Sequence, residues 1–123
     1  MTALWVAIGG ALGSVSRYGM GLAGQRLLGD RFPWGTLAVN LLGCFAIGAV
    51  MVLAEARALD PRIRVAVVGG FLGGFTTYSA FAWETLALAE RRSASAAVAY
   101  AGFTIVGCFL ACGAGLLVAR RLV

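Results

Sequence analysis

The side chains able to do chemistry in this chain are few, and most lie inside long apolar runs. They are Arg17, Asn40, Thr76, Thr77, Tyr78, Ser79, Glu84, Tyr100, Thr104 and Cys108. Polar groups at membrane depth mark functional sites by default, because lipid offers them no partners. Apart from Glu84 this set is made of neutral donors and one guanidinium: an amide, hydroxyls, a thiol and Arg17. Donors of this kind suit an anion. The edges of aromatic rings carry positive partial charge, so Phe75, Tyr78 or Phe81 could face an anion edge-on. Tyr100, Thr104 and Cys108 recur every fourth residue and therefore share one helical face. Asn40 lies one turn from Gly43 and Cys44. Each of these residues also has a plainer reading. Arg17 would snorkel to the interface, Asn40 would join two helices, and the hydroxyls of the Tyr100 face would bond back to their own helix. No nucleophile–base pair and no histidine is present, so an enzyme is not expected.

The elements that must position these groups are four apolar segments, at about residues 3–28, 34–54, 65–88 and 94–119, within a single integral membrane domain covering 1–123. The chain is 61% hydrophobic and 12% charged, against about 25% charged for a soluble domain. Short connections carry the turn residues and most of the charge. Pro33 and Pro61 suit helix starts, and Asp60 suits an N-cap for the third segment. Cys44, Cys108 and Cys112 all sit in apolar runs and read as free thiols. With no histidine and no cysteine cluster in the sequence, a transition-metal site is not expected. The N-terminus has no basic residue before its apolar run and does not resemble a cleaved signal peptide.

The third segment is unusual. Val65 to Trp83 is 19 uncharged residues, yet its centre reads Gly69-Gly70-Phe71-Leu72-Gly73-Gly74-Phe75-Thr76-Thr77. Four glycines and two threonines make a poor continuous helix. A broken helix in lipid is tolerated only where protein or a watery cavity receives its freed backbone groups, and such breaks build ion sites. The alternative is that the glycines serve only as close-packing points between helices.

The net charge of +5 comes from ten arginines and five acids. All the arginines except Arg17 lie near segment ends, which fits lipid headgroups and not nucleic acid. Five of them (Arg57, Arg62, Arg64, Arg120, Arg121) fall on one side of the alternating connections, and four (Arg26, Arg31, Arg91, Arg92) on the other. Orientation in a membrane follows the arginine bias between sides. A balance this even permits insertion both ways up, and hence an antiparallel homodimer.

Three stretches resemble the Fluc (CrcB) family of fluoride channels. Gly9 to Tyr18 is similar to its GGxxGxxxRY opening, Gly35 to Gly43 to its GTLxVNxxG helix, and the stretch ending at Phe81 to its GFxGGxTTFSTF helix. The likeness covers the whole chain. It implies an all-α membrane protein of four transmembrane helices, the third broken in mid-membrane, assembled as an antiparallel dual-topology homodimer that exports fluoride passively. It implies a structural sodium ion at the dimer interface, held by the backbone carbonyls of Gly73 and Thr76. It places Asn40 in the pore, Tyr78 and Phe81 on the paired aromatics with Ser79 between them, and Tyr100, Thr104 and Cys108 on the polar face of the fourth helix. Glu84 matches an acid after the second aromatic, and Arg17 a vestibule arginine. Tyr78 stands for phenylalanine, Ala80 for threonine, and Cys108 where a hydroxyl is more typical. The rival readings are a small four-span multidrug exporter, which would carry a glutamate in its first span where this chain has none, and a purely structural membrane subunit.

Overall fold

The computed structural model describes residues 1–57 and 59–123. The described residues are helical, with no strand. Helix α1 runs Thr2–Leu28 and α2 runs Trp34–Ala56. The third segment is a composite of α3 (Pro61–Val65), a π-helical stretch Ala66–Leu72, the single turn α4 (Gly73–Phe75), and α5 (Ser79–Arg91). Helix α6 runs Ala94–Arg120.

Local signals explain the ends. Gly29 closes α1 at φ 84°, a conformation other residues resist. The Asp60 carboxylate accepts from the Arg62 N–H at 2.7 Å, and Pro61 occupies the first helical position. Ser93 caps α6 by accepting from the Ala96 N–H.

Three stretches are long and apolar enough to cross a membrane: Trp34–Ala56, the composite Pro61–Arg91 and Ala94–Arg120. Helix α1 has the length for a fourth, with 27 residues. It is less apolar than the others because Arg17, its serines and its glycines dilute the aliphatic content.

Glycines set the distances between helices. A Cβ on Gly9 or Gly13 would overlap the backbone of the π segment and α4, at the Ala66 and Phe71 carbonyls. A Cβ on Gly70 would sit 2.9 Å from the Val6 carbonyl, and one on Gly74 would overlap the Gly10 carbonyl. On the other side, Gly48 backs onto the Cys112 carbonyl and Gly115 onto the Phe45 carbonyl, joining α2 to α6. Backbones can approach this closely only where no side chain intervenes. The buried cluster is small: Phe81, Leu88, Ala97 and Tyr100, with Phe32 and Leu37 against it.

The glycines and the break are separate features. Gly69, Gly70, Gly73 and Gly74 all lie in helical backbone, the first two in the π segment. The helix stops at Thr76, whose ψ of 159° is extended, and resumes at Ser79. Thus Gly70 and Gly74 pack against α1, and the threonines carry the interruption. Gly69 and Gly73 have no close neighbour beyond their own helix.

Candidate functional site

The break is held by the side chain of Asn40, which is buried on α2. Its Nδ2 donates to the Thr77 carbonyl at 3.0 Å, and its Oδ1 accepts from the Thr77 N–H at 2.9 Å. One amide thus satisfies both polar groups of one residue that the helix has released. An amide nitrogen has two hydrogens, so one Asn40 N–H remains beyond this pair. Thr77 in turn starts α5, its Oγ1 accepting from the Ala80 N–H at 3.2 Å and lying 3.4 Å from the Ser79 hydroxyl.

These substitutions free two carbonyls. In a continuous helix the Thr77 N–H would bond the Gly73 carbonyl and the Ala80 N–H the Thr76 carbonyl. Here Asn40 takes the first donor and Thr77 Oγ1 the second. Arg17 reaches the Thr76 carbonyl with Nη1 at 3.2 Å, so its charge sits at the break and not at the interface. A carbonyl has two lone pairs, and Thr76 keeps one of them. The Gly73 and Thr76 carbonyls are thus left without their helical donors, and Gly73 is exposed.

A second polar knot joins three helices. Both oxygens of Glu84 on α5 accept hydroxyls: Thr36 Oγ1 of α2 at 2.7 Å and Tyr100 of α6 at 2.8 Å. Tyr100 is fully buried, with its ring 5.4 Å from Phe81 and 5.3 Å from Phe32. Phe81 is buried and lies 5.7 Å from Tyr78 at 60°, an edge-to-face pair. Tyr78 and Ser79 point outward, Tyr78 with 80% of its surface exposed. One turn beyond Tyr100, Thr104 is 4% exposed, and its hydroxyl has no partner among the described residues. Cys108, a turn further, is half-buried beside Cys44.

Two adjoining cavities lead to the break. The larger, about 500 Å³, is lined by three arginines (Arg31, Arg91, Arg92), by the acids Asp30 and Glu84, and by Thr36. The smaller, about 290 Å³, is lined by Arg17, Thr36, Thr77 and Ala80. They share Gly21, Gln25, Gly35 and Thr36 as common wall. Arginines thus outnumber acids three to two in the larger cavity, and Arg17 lines the smaller.

The structure gathers Asn40, Arg17, Thr76 and Gly73 at the break, and Phe81, Glu84 and Tyr100 beside the larger cavity. It adds two residues that the sequence reading leaves without this part: Thr36, which bonds Glu84, and Thr77, whose backbone Asn40 grips. Thr36 is four residues before Asn40, so their shared face was the available signal.

Comparison with known proteins gives a consistent result. Residues 4–116 match the family model described as CrcB-like protein, Camphor Resistance (CrcB). A relative from Sorangium cellulosum named fluoride-specific ion channel FluC is 44% identical over 97% of this chain and 94% of its own length. Relatives with the same name are 48% identical in Rhizobium johnstonii, over 98% of this chain and 97% of the relative, and 49% in Thermus thermophilus, over 88% and 87%.

Proposed function

Because the chain belongs to the CrcB-like family, we propose that it is a fluoride-selective channel that lets fluoride leave the cytoplasm passively. It is a multi-pass membrane protein of the cell membrane and makes or breaks no covalent bond in its substrate. The observation that carries this reading is the pair of adjoining cavities, net positive in their lining, from Arg31, Arg91 and Arg92 with Asp30 and Glu84 to Arg17 and Thr77. Positive walls raise the local concentration of an anion at the mouth. At the end of the route a small hydrated anion must exchange its waters for fixed donors. Beyond the cavities, the spare Asn40 N–H, the unpartnered Thr104 hydroxyl and the Ser79 hydroxyl would be such donors, and the Tyr78 and Phe81 edges would add weaker ones. Cys108 continues the Thr104 face.

Glu84 has a different part. Its carboxylate already receives the Thr36 and Tyr100 hydroxyls, so Tyr100 shapes the wall and does not itself serve as a free donor. The driving force needs no coupling. A potential of 100 mV, inside negative, gives an outgoing anion about 2.3 kcal/mol.

Assembly follows as part of the same reading. The chain works as an antiparallel dual-topology homodimer, with Gly69 and Gly73 left open on one face for a second copy to approach. The Gly73 and Thr76 carbonyls would hold a sodium ion there, in company with the same pair from the partner. When bound, sodium supplies a fixed positive charge at the centre of the assembly. Two oxygens from one copy are too few to replace a cation's water shell, which is why the site calls for the second copy.

The test is efflux from liposomes holding the purified protein, read with a fluoride electrode and repeated with chloride. Rapid fluoride release without chloride release is expected. Release of both ions, or of neither, would overturn the reading.

A further inference from the structure

Helices α2 and α6 carry matching polar faces. Thr36, Asn40 and Cys44 recur every fourth residue on one, and Tyr100, Thr104 and Cys108 on the other. The two helices lie side by side in fixed register. Thr36 and Tyr100 bond the same carboxylate, Leu41 fills the space in front of Gly107, and Gly48 backs onto Cys112. Gly48 backs onto Cys112, and one turn earlier on each of the two helices stand Cys44 and Cys108. Their thiols are neighbours, and both are half-buried.

We propose that Cys44 and Cys108 together form a two-thiol site for a soft divalent cation that accepts linear coordination, with mercuric ion as its type. The ligand count and the charge select this class. Thiolates prefer soft ions. A tetrahedral ion such as zinc wants four ligands, and no cluster of three histidine, cysteine or acidic side chains exists among the described residues. Binding breaks two S–H bonds, forms two S–Hg bonds and releases two protons, with no change of oxidation state. The product is neutral, so no unpaired charge is left at membrane depth. A monovalent soft ion held by two thiolates would leave a net negative charge there.

The consequence for flux rests on the channel reading. The bridge ties α2 to α6 one turn beyond Asn40 and Thr104, on the polar face itself, and so blocks fluoride.

The experiment has two arms. Purified protein is titrated with mercuric chloride and challenged with two equivalents of glutathione, and bound metal is read by intact mass and by counting thiols left free for a dye. One mercury per chain and the loss of two labelled thiols are expected. Cys112→Ser keeps the metal, whereas Cys44→Ser and Cys108→Ser lose it. Cys44→Ala and Cys108→Ala, each checked for a monodisperse elution profile, guard against misfolding. Retention in Cys44→Ser, or loss in Cys112→Ser, overturns the pairing, since Cys108 and Cys112 are a turn apart on one helix. In liposomes, mercuric chloride should stop fluoride efflux by the wild type and by Cys112→Ser, and dithiothreitol should restore it. Mercury held without loss of efflux overturns the block. Mercury held by a protein that never releases fluoride sinks the channel reading and leaves the metal site standing.

Discussion

Asn40 uses both ends of its amide on the backbone of one residue. Asn40→Asp replaces the donor facing the Thr77 carbonyl with a second acceptor and places a negative charge in the anion route. Leaving a buried carbonyl unpaired costs about 1–3 kcal/mol, and more when a charge is involved. Fluoride efflux should vanish and the melting temperature in detergent should fall; unchanged efflux would take Asn40 out of the route. At this scale the sequence was partly readable. An asparagine in a charge-free span stood out, because a polar group at membrane depth marks a functional site by default. Its partner did not stand out, since Thr77 contributes backbone, and backbone groups are the same at every position. Glu84 was visible as an acid near a helix end, but nothing in the spacing tied it to Thr36 and Tyr100 on two other helices.

The third segment divides two jobs that its sequence runs together. Four glycines are followed closely by two threonines, Thr76 and Thr77, and both residue types disfavour a helix. In the structure the glycines stay helical and admit α1, whereas the threonines interrupt the chain. Propensity ranks glycine as the stronger breaker. Packing overrides that rank, because a backbone buried against another backbone gains contact that no side chain could give. Threonine breaks the helix here through its partners: Asn40 takes the Thr77 N–H and the Thr77 hydroxyl takes that of Ala80. Gly70→Ala puts a methyl group 2.9 Å from the Val6 carbonyl and should destabilise by roughly 1–3 kcal/mol, as overpacking does. Gly102→Ala on α6 meets nothing within 4 Å and should leave stability level or raise it by up to about 1 kcal/mol, the helix preference of alanine. Thermal melts of the two variants in detergent decide it, and equal shifts would mean that the glycines of the π segment are not contact points.

The whole chain exposes 7867 Å², whereas a compact soluble protein of this mass exposes about 6,200 Å². Phe103, Phe109, Leu110 and Val98 are among the large side chains left bare, which is what lipid or a second copy requires. The number of helices was legible from the length of the apolar runs. How two copies would meet was not, because arginine counts speak to orientation and not to contact. Adding three arginines to the second connection should fix one orientation and abolish efflux when that chain is expressed alone. Co-expression with a chain biased the other way should restore it. Full activity from the single-orientation chain would exclude the antiparallel arrangement.

A gate needs a part that can swing, and the interruption in the third segment looks at first like one. The grip of Asn40 on both sides of Thr77 opposes that motion, because swinging the break would cost both hydrogen bonds. A pathway built on it has no local means of shutting. In planar bilayers its current should be steady at all voltages, without closures, and a voltage-dependent closure would show that the grip releases. A cell holding such a conduit would control fluoride traffic through how many copies it makes, because no copy can be told to close.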